Sequence, residues 1–307
     1  MLLALRFCFP ATTWAQQATL DHQLFVGIEN RDLVKVEQLL GQGANVEAKG
    51  VNGITPLMNA AESGSVPLVS LLLQNGANAG AKDNQGETAL THAARGGWVK
   101  VVNLLARFSD TRGKNQALFA AVEDGPVVIK ITDAPPQPSP AQNQAVEIEE
   151  SWTATVEYLL ANGAQIEARN EDGSTPLIWA ASFAQTDILK LLIDRGARTN
   201  VRDKDGNTPL IAAACECALA TMNSAYDVVR MLLEQGSNVN ARSKDGTTAL
   251  MNAASGFGGA AIVKLLLDNG ANPRLRDRRG NTALTLAQKG QREDKVRLIK
   301  EALGRTD

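Results

Sequence analysis

Apolar and polar positions alternate along this chain in a pattern that returns many times. One kind of segment carries apolar residues three and four positions apart, as in Val69, Leu72 and Leu73, which is the spacing of one face of an α-helix. A second kind carries paired alanines, as at Ala60-Ala61. Polar turns that contain glycine, such as Asp172-Gly173, interrupt the helical segments. The pattern predicts short helices joined by tight turns.

A short phrase marks each return of the pattern. The interval between copies is 33 residues twice, 40 and 34 once each, and 87 once. A nearly fixed period of this size predicts a stack of repeats, whose extended surface suits recognition better than catalysis. The six copies are Thr55-Pro56-Leu57, Thr88-Ala89-Leu90, Thr175-Pro176-Leu177, Thr208-Pro209-Leu210, Thr248-Ala249-Leu250 and Thr282-Ala283-Leu284.

A glycine lies 12 residues before each copy of the phrase. Glycine at this place predicts the end of a helix, where left-handed backbone is favoured. The threonine of the phrase can cap the start of the next helix, and proline is tolerated in its first turn. The six glycines are Gly43, Gly76, Gly163, Gly196, Gly236 and Gly270.

Together these markers resemble the ankyrin repeat. The family phrase is Thr-Pro-Leu-His, and here the histidine slot holds Met58, Thr91, Ile178, Ile211, Met251 and Thr285. The resemblance covers roughly residues 19–307 and leaves 1–18 as a leader. It implies an all-α ankyrin-repeat solenoid in which each unit has a β-turn finger and two antiparallel helices. We count about eight helix-turn-helix units, and the polar segment 292–297 suits a terminal cap.

The long interval of 87 residues predicts an irregular fourth unit. Ser109 falls in the expected glycine place, 33 residues after Gly76, and Leu118 takes the place of Leu90, which leaves this finger five residues short. One long inter-helix insertion, residues 126–150, precedes the second helix. It is either a tolerated surface loop or a β-hairpin arm that fills the place of the short finger and contacts a partner.

A smaller insertion, residues 215–227, lengthens unit six and predicts a longer first helix there. It contains Cys215 and Cys217, whose side chains would diverge on a helix, so that a disulfide between them is not expected. They are either two small helix residues or a redox-responsive pair.

The net charge and the types of residue present limit the functions that the sequence can support. The net charge is −2 and the sequence pI is near 5.9, without the basic footprint of a nucleic-acid-binding protein. The chain has two histidines, and neither His22 nor His92 has a nucleophile or metal ligand at a recognisable spacing. We expect His92 to form a hydrogen bond within the stack. No catalytic, cofactor-binding or metal-binding residues are predicted.

The amino terminus resembles a damaged secretion signal. Residues 1–10 are largely apolar, and Thr13-Trp14-Ala15 could supply a cleavage site before Gln16. Arg6 interrupts the apolar run, and the positively charged leader is missing. We expect a periplasmic or secreted protein, with a cytoplasmic one as the alternative. No later segment is long enough to span a membrane.

The resemblance also implies where a partner would bind, because ankyrin proteins usually meet partners with their finger tips and the exposed side of each first helix. We therefore expect another protein as the partner of a monomeric array, and no nucleic acid. Three rival functions remain: an exported effector-like binder of a foreign protein, an enzyme with an unrecognised site at the insertion, and a purely structural cap on a larger assembly. The candidate binding residues are Val51, Asn52, Ile54, Glu62, Asn84, Gln85, Glu87, Arg95, Trp98, Glu171, Asp172, Ser174, Phe183, Lys204, Asp205, Asn207, Lys244, Asp245 and Thr247.

Two aromatic members of this set stand out. Trp98 and Phe183 each fall at a turn between the two helices of a unit. There they either anchor a partner, since aromatic side chains give large contact areas, or pack under the insertion that lies between them in sequence. Trp179 is expected in the core.

Overall fold

The threonine phrases and the apolar segments all form helices in the computed structural model. The structure describes residues 12–123, 151–215, 222–256 and 260–304, and within these ranges it contains sixteen α-helices and no strand. The helices are α1 (Thr12–Glu29), α2 (Leu33–Gly41), α3 (Pro56–Glu62), α4 (Val66–Gln74), α5 (Ala89–Arg95), α6 (Val99–Ala106), α7 (Thr111–Glu123), α8 (Trp152–Ala161), α9 (Pro176–Ser182), α10 (Thr186–Asp194), α11 (Pro209–Ala213), α12 (Met222–Glu234), α13 (Ala249–Ser255), α14 (Ala260–Asp268), α15 (Ala283–Lys289) and α16 (Glu293–Gly304).

The sixteen helices form eight consecutive pairs, which we number as units one to eight. The odd-numbered helix of a unit packs against the odd-numbered helices of its neighbours, and the even-numbered helices form a second layer. One core of buried side chains runs from Leu24 in unit one to Ile299 in unit eight. The expected all-α solenoid of eight units is confirmed.

The threonine of the phrase caps a helix start, as predicted. The Thr55 hydroxyl accepts a hydrogen bond from the Met58 amide at 3.2 Å, and Thr175 accepts one from Ile178 at 3.4 Å. Such a cap contributes about 1 kcal/mol to helix stability. The paired alanines, such as Ala60 and Ala61, have no exposed surface because neighbouring helices lie directly against them.

Unit four departs from the expectation of a shortened finger. Gly76 turns the chain with φ of 87°, as do its counterparts in other units, whereas Ser109 in the same place keeps φ below zero. Asp110 then caps a new helix by accepting a hydrogen bond from Gly113 N at 2.7 Å. The segment predicted as a short finger is therefore the first turn of α7. Further along, Leu118 is fully buried like Leu90, as predicted.

Unit six also differs from its prediction. The first helix α11 ends at Ala213, with Ala214 as its cap, so it is not extended. The second helix α12 starts at Met222 and has 13 residues, against nine in α10 and α14. The longer helix of this unit is therefore the second one, and Cys215 lies beyond the end of α11. Cys217 and the rest of 216–221 lie outside the described residues.

The ends of the stack bear on two further predictions. Helix α1 begins at Thr12, ahead of the predicted domain start at residue 19. In the terminal cap, Glu293, Asp294 and Arg297 are exposed, but Lys295 is buried and donates to the carbonyl oxygens of Ala253 and Gly256 at 2.7 and 3.0 Å. The predicted polar face therefore does not include Lys295. The insertion 126–150 and residues 1–11 lie outside the described residues.

Candidate protein-binding surface

A four-residue β-turn stands before the first helix in six of the eight units, and we call each one a finger. In unit six the amide of Gly206 donates to the carbonyl of Asp203 at 3.1 Å and closes the turn. The Asp203 carboxylate also accepts hydrogen bonds from the amides of Asp205 and Asn207, at 2.9 and 2.8 Å. The fingers are residues 50–53, 83–86, 170–173, 203–206, 243–246 and 277–280.

The finger of unit eight shows the electrostatic result of this turn. The Asn281 side chain donates to the Asp277 carboxylate at 2.8 Å, and the amides of Asn281 and Arg279 donate as well. The side-chain bond from Asn281 is the largest effect, and together these bonds lower the pKa of Asp277 below its usual value. The carboxylate therefore stays ionised and holds the turn at neutral pH.

Neighbouring fingers are joined by a backbone ladder. The amide at the second finger position donates to the carbonyl at the third position of the preceding finger. This bond joins Asn84 to Asn52 at 3.0 Å and Lys204 to Asp172 at 2.9 Å. It also joins Lys244 to Asp205 at 2.7 Å and Arg278 to Asp245 at 2.8 Å. The second and third positions thus form a continuous edge within each block of fingers.

Basic side chains reinforce the ladder beneath the fingers. The Arg202 guanidinium donates to Gly206 O in its own finger at 2.8 Å and to Arg242 O in the next unit at 2.6 Å. Arg169 contacts Gly173 O and Arg202 O in the same way, and Lys49 donates to Gly53 O and Lys82 O. Each basic residue therefore ties one finger to the following unit.

The predicted binding residues fall into two groups in the structure. Those at the second and third finger positions, together with Glu62 on α3, are exposed, and Val51 is 82% exposed. The remainder are half-buried and already contact their own unit or a neighbour. The exposed group is Val51, Asn52, Glu62, Asn84, Gln85, Glu171, Asp172, Lys204, Asp205, Lys244 and Asp245; the half-buried group is Ile54, Glu87, Arg95, Trp98, Ser174, Phe183, Asn207 and Thr247.

A buried histidine fixes the finger of unit three to α5. His92 Nε2 lies 3.2 Å from Asp83 Oδ2, and Nδ1 lies 3.7 Å from Glu62 Oε2. The hydrogen bond expected of His92 within the stack is confirmed. Beside it, the Arg95 guanidinium forms two hydrogen bonds with the Glu87 carboxylate, at 2.8 and 2.5 Å. Glu87 and Arg95 thus hold each other on the predicted binding face.

Asp83, Glu87 and His92 also form the kind of cluster that can hold a metal ion. Their ligand atoms lie within 4.8 Å of one another. The sequence spacing did not reveal this cluster, because its members come from the finger and from the following helix. Asp83 already accepts amide hydrogen bonds from Gln85 and Glu87, and Arg95 supplies the positive charge beside Glu87. The cluster is accounted for as a structural network.

The electrostatics of Asp83 follow from these contacts. Burial is the largest single effect and raises the pKa of Asp83, but the amide hydrogen bonds from Glu87 and Gln85 and the contact with His92 together outweigh it. The pKa of Asp83 is consequently lowered. An ionised Asp83 can hold both the turn and His92.

Two tryptophans connect successive units at the corner between their helices. Trp98 Nε1 donates to the carbonyl of Glu62 at 2.8 Å, and its ring covers Gly64 so closely that a Cβ there would lie 2.4 Å away. Trp152 Nε1, in unit four, donates to the carbonyl of Arg95, in unit three, at 2.9 Å. Sequence reasoning singled out Trp98 for partner binding and missed Trp152, although both lie at the start of a second helix.

The predicted aromatic residues of unit five lie against each other. The rings of Trp179 and Phe183 are stacked with centroids 5.0 Å apart. Both side chains are half-buried, and Trp179 packs against the core. Phe183 thus offers only part of its ring to solvent.

The geometry of the units agrees with a comparison against protein families. The family model described as ankyrin repeats (3 copies) matches residues 24–115, 68–131, 143–243 and 217–305. The chain belongs to the ankyrin repeat family. Ankyrin repeats are generally modules for protein–protein interaction and are typically not enzymes. No curated protein matches the chain significantly.

The described helices also bear on membrane insertion. None of those in the described ranges combines the length and the apolar character that a bilayer-spanning helix requires. Ankyrin repeats point instead to a protein as the partner.

Proposed function

We propose that this ankyrin repeat protein is a non-enzymatic scaffold or adaptor that binds a partner protein through its finger tips and first-helix faces. The observation that carries the proposal is the rigid edge of exposed finger residues. The turn bonds, the ladder and the basic side chains fix the backbone, while the side chains at the tips remain exposed. A preorganised surface loses little entropy when a partner binds.

The exposed tips of units six and seven are the part of this edge best suited to a direct test. Lys204, Asp205, Lys244 and Asp245 are exposed and lie on two fingers joined by the ladder. Reversing the two lysine charges, with Lys204→Glu and Lys244→Glu, leaves the backbone bonds in place. We expect the double variant to fold normally and to lose partner capture at least tenfold. Arg297→Glu, on the exposed terminal cap, is the matched control for charge reversal.

The insertion 126–150 is proposed as a second, specialised contact with the partner. A chain lacking these residues should keep its helical circular dichroism and its cooperative melt, because the helices on either side already pack against each other. Capture of the partner should become weaker. A large loss of helix content would instead make the insertion part of the architecture.

We further propose that the protein acts in the periplasm or outside the cell, with the cytoplasm as the alternative. The apolar leader supports this proposal. Cleavage after Ala15 would keep the hydrogen bond that Gln17 donates to Gly43 O at 3.1 Å. Cell fractionation with amino-terminal sequencing tests the proposal: a mature chain that begins at Gln16 supports it, and an intact chain in the cytoplasm contradicts it.

A further inference from the structure

The finger ladder is interrupted at unit four. That unit contributes two helices to the stack, but α7 begins at Thr111, where units two, three and five to eight have a finger. The fingers of units three and five are therefore separated by two repeat spacings, about 16 to 20 Å for helices that pack 8 to 10 Å apart. We call the position between them the finger gap; its rims are Gln85 and Glu171, and Phe119 on α7 holds the repeat position that Met58 holds in unit two.

Both rims of the gap carry the backbone groups that continue the ladder elsewhere. Wherever two fingers are adjacent, the carbonyl equivalent to Gln85 accepts a bond from the following finger, and the amide equivalent to Glu171 donates to the preceding one. Within the described part of the chain, no backbone group forms a hydrogen bond with Gln85 O or with Glu171 N. Gln85 and Glu171 are both exposed. The gap thus presents one acceptor and one donor in the register of a missing turn.

The basic ladder is interrupted at the same place. The carbonyl oxygens of Lys82, Arg202, Arg242 and Arg276 each accept a bond from the basic residue of the preceding unit. Arg169 is the equivalent residue in unit five, and no described side chain donates to its carbonyl oxygen. A Lys or Arg placed two residues before the donor of an incoming turn would reach this position.

Phe119 is an apolar side chain at the repeat position that follows the missing finger. The equivalent side chain in unit two, Met58, lies against the segment that follows its own finger, where its sulfur accepts a bond from Thr55 N at 3.3 Å. In the units that have a finger, five of the six side chains at this position are at most 3% exposed and Thr285 of the terminal unit is half-buried; the five are Met58, Thr91, Ile178, Ile211 and Met251. Phe119 is only half-buried, and no finger of its own stands above it.

We propose that the finger gap binds an exposed β-turn of the partner protein, preceded by Lys or Arg. The turn would complete the ladder by donating to Gln85 O, accepting from Glu171 N and covering Phe119. This binding mode resembles the addition of a β-strand to a sheet edge, with a turn in place of the strand. The backbone hydrogen bonds give affinity, and the basic and apolar positions give selectivity. The proposal rests on the adaptor function above and assigns it a specific contact.

A synthetic turn peptide provides a direct probe. The peptide carries the sequence of residues 202–207, Arg-Asp-Lys-Asp-Gly-Asn, closed into a ring by an added cysteine at each end. The control peptide has glutamine in place of arginine and valine in place of glycine, which removes both the basic group and the turn. Binding is measured by fluorescence anisotropy with the full chain and with the chain lacking 126–150.

Two variants remove the contacts of the gap. Glu171→Pro deletes the donor at the second turn position, where proline is favoured, and Glu171 N makes no bond in its own finger. We expect it to weaken peptide binding about threefold to tenfold, as the loss of one hydrogen bond does, with an unchanged melting temperature. Phe119→Ala should weaken binding by a similar factor. Lys289→Ala, on the last helix pair far from the gap, is the control substitution.

The outcomes separate this proposal from its rivals. Saturable binding of the ring to both chains, weakened by Glu171→Pro and absent for the control peptide, supports it. Binding only to the chain lacking 126–150 would overturn it, since the chain's own insertion would then occupy the gap. Dimerisation lost in Glu171→Pro would also overturn it, in favour of a second copy. No binding to either chain overturns it too.

Capture of the native partner distinguishes failure of the gap from failure of the adaptor function. Loss of capture in the Lys204→Glu and Lys244→Glu variant, with full capture by Glu171→Pro, would reject the gap as the partner's contact and retain the adaptor function. Full capture by both variants would reject the finger surface as a whole.

Discussion

At the scale of single residues, the least expected feature is that several predicted binding residues stabilise the stack. Trp98 is the clearest case. Its indole donates to Glu62 O across the boundary between units two and three, and its ring covers Gly64. Replacing it with phenylalanine keeps most of the ring and removes the hydrogen bond. We expect Trp98→Phe to reduce the free energy of unfolding by about 1 kcal/mol, measured by urea denaturation.

The alanine variant at this position gives the contrast. Trp98→Ala also removes the ring over Gly64 and should cost about 3 kcal/mol. If both variants kept wild-type stability and lost partner capture, Trp98 would be an anchor for the partner, as the sequence alone suggested.

Asp83 provides a prediction about pH. Its folded-state pKa is lowered, so the stability it contributes is present above the pKa of the unfolded chain and is lost as the pH falls below about 4. Asp83→Asn should cost about 1 kcal/mol at pH 7, because the turn can survive with an amide, as Asn170 shows, but the hydrogen bond between the carboxylate and His92 is lost. Urea denaturation between pH 2.5 and 7 measures both effects.

The equivalent substitution in unit six isolates the histidine contact. Asp203 holds the same turn, but its side-chain oxygen is paired with Asn207 and not with a histidine. Asp203→Asn should therefore lower the free energy of unfolding at pH 7 less than Asp83→Asn does. Identical pH profiles for the wild type and Asp83→Asn would contradict the assigned role of Asp83.

At the scale of elements, the regular units could be read from the sequence and the irregular ones could not. The threonine caps and the glycine helix ends act within a few residues, so their spacing located α3, α5 and α9 and their fingers. The prediction for unit four was wrong because Ser109 was taken as a substitute for the glycine that ends a helix. Ser109 instead changes the backbone path, and Asp110 then starts a helix. The hydrogen bond of His92 was expected, but its partner Asp83 could not be named from the sequence because the contact joins a finger to the helix behind it.

Restoring the finger of unit four tests this account of the missing turn. Residues 109–116 would be replaced by residues 76–88, which carry the glycine and finger of unit three. We expect the graft to add a ladder bond on each side, to raise the free energy of unfolding by about 1 to 2 kcal/mol, and to abolish binding of the turn peptide. A graft that folds and still binds the peptide at full affinity would show that the gap is not its site.

At the scale of the whole molecule, the gap divides the finger ladder into two unequal blocks. One bond joins the fingers of units two and three, and three bonds join those of units five to eight. In a linear repeat array, stability is approximately a sum of unit and interface contributions. The interfaces on either side of unit four lack the ladder bonds between fingers. Partial unfolding of the array should therefore stop at unit four more often than at the other units.

Native-state hydrogen exchange measures this division. We expect the amides of α3 to α6 to exchange with a lower opening free energy than those of α9 to α13, by about 1 to 2 kcal/mol, because fewer ladder bonds hold the shorter block. Fraying from the amino terminus would give a similar gradient in the wild type. The finger graft separates the two causes. If the missing ladder bonds produce the abrupt change in opening free energy at unit four, the graft should remove that change; if fraying produces the difference, the opening free energy should still rise gradually along the chain. A graft that leaves the abrupt change in place would assign it to the packing of the helices.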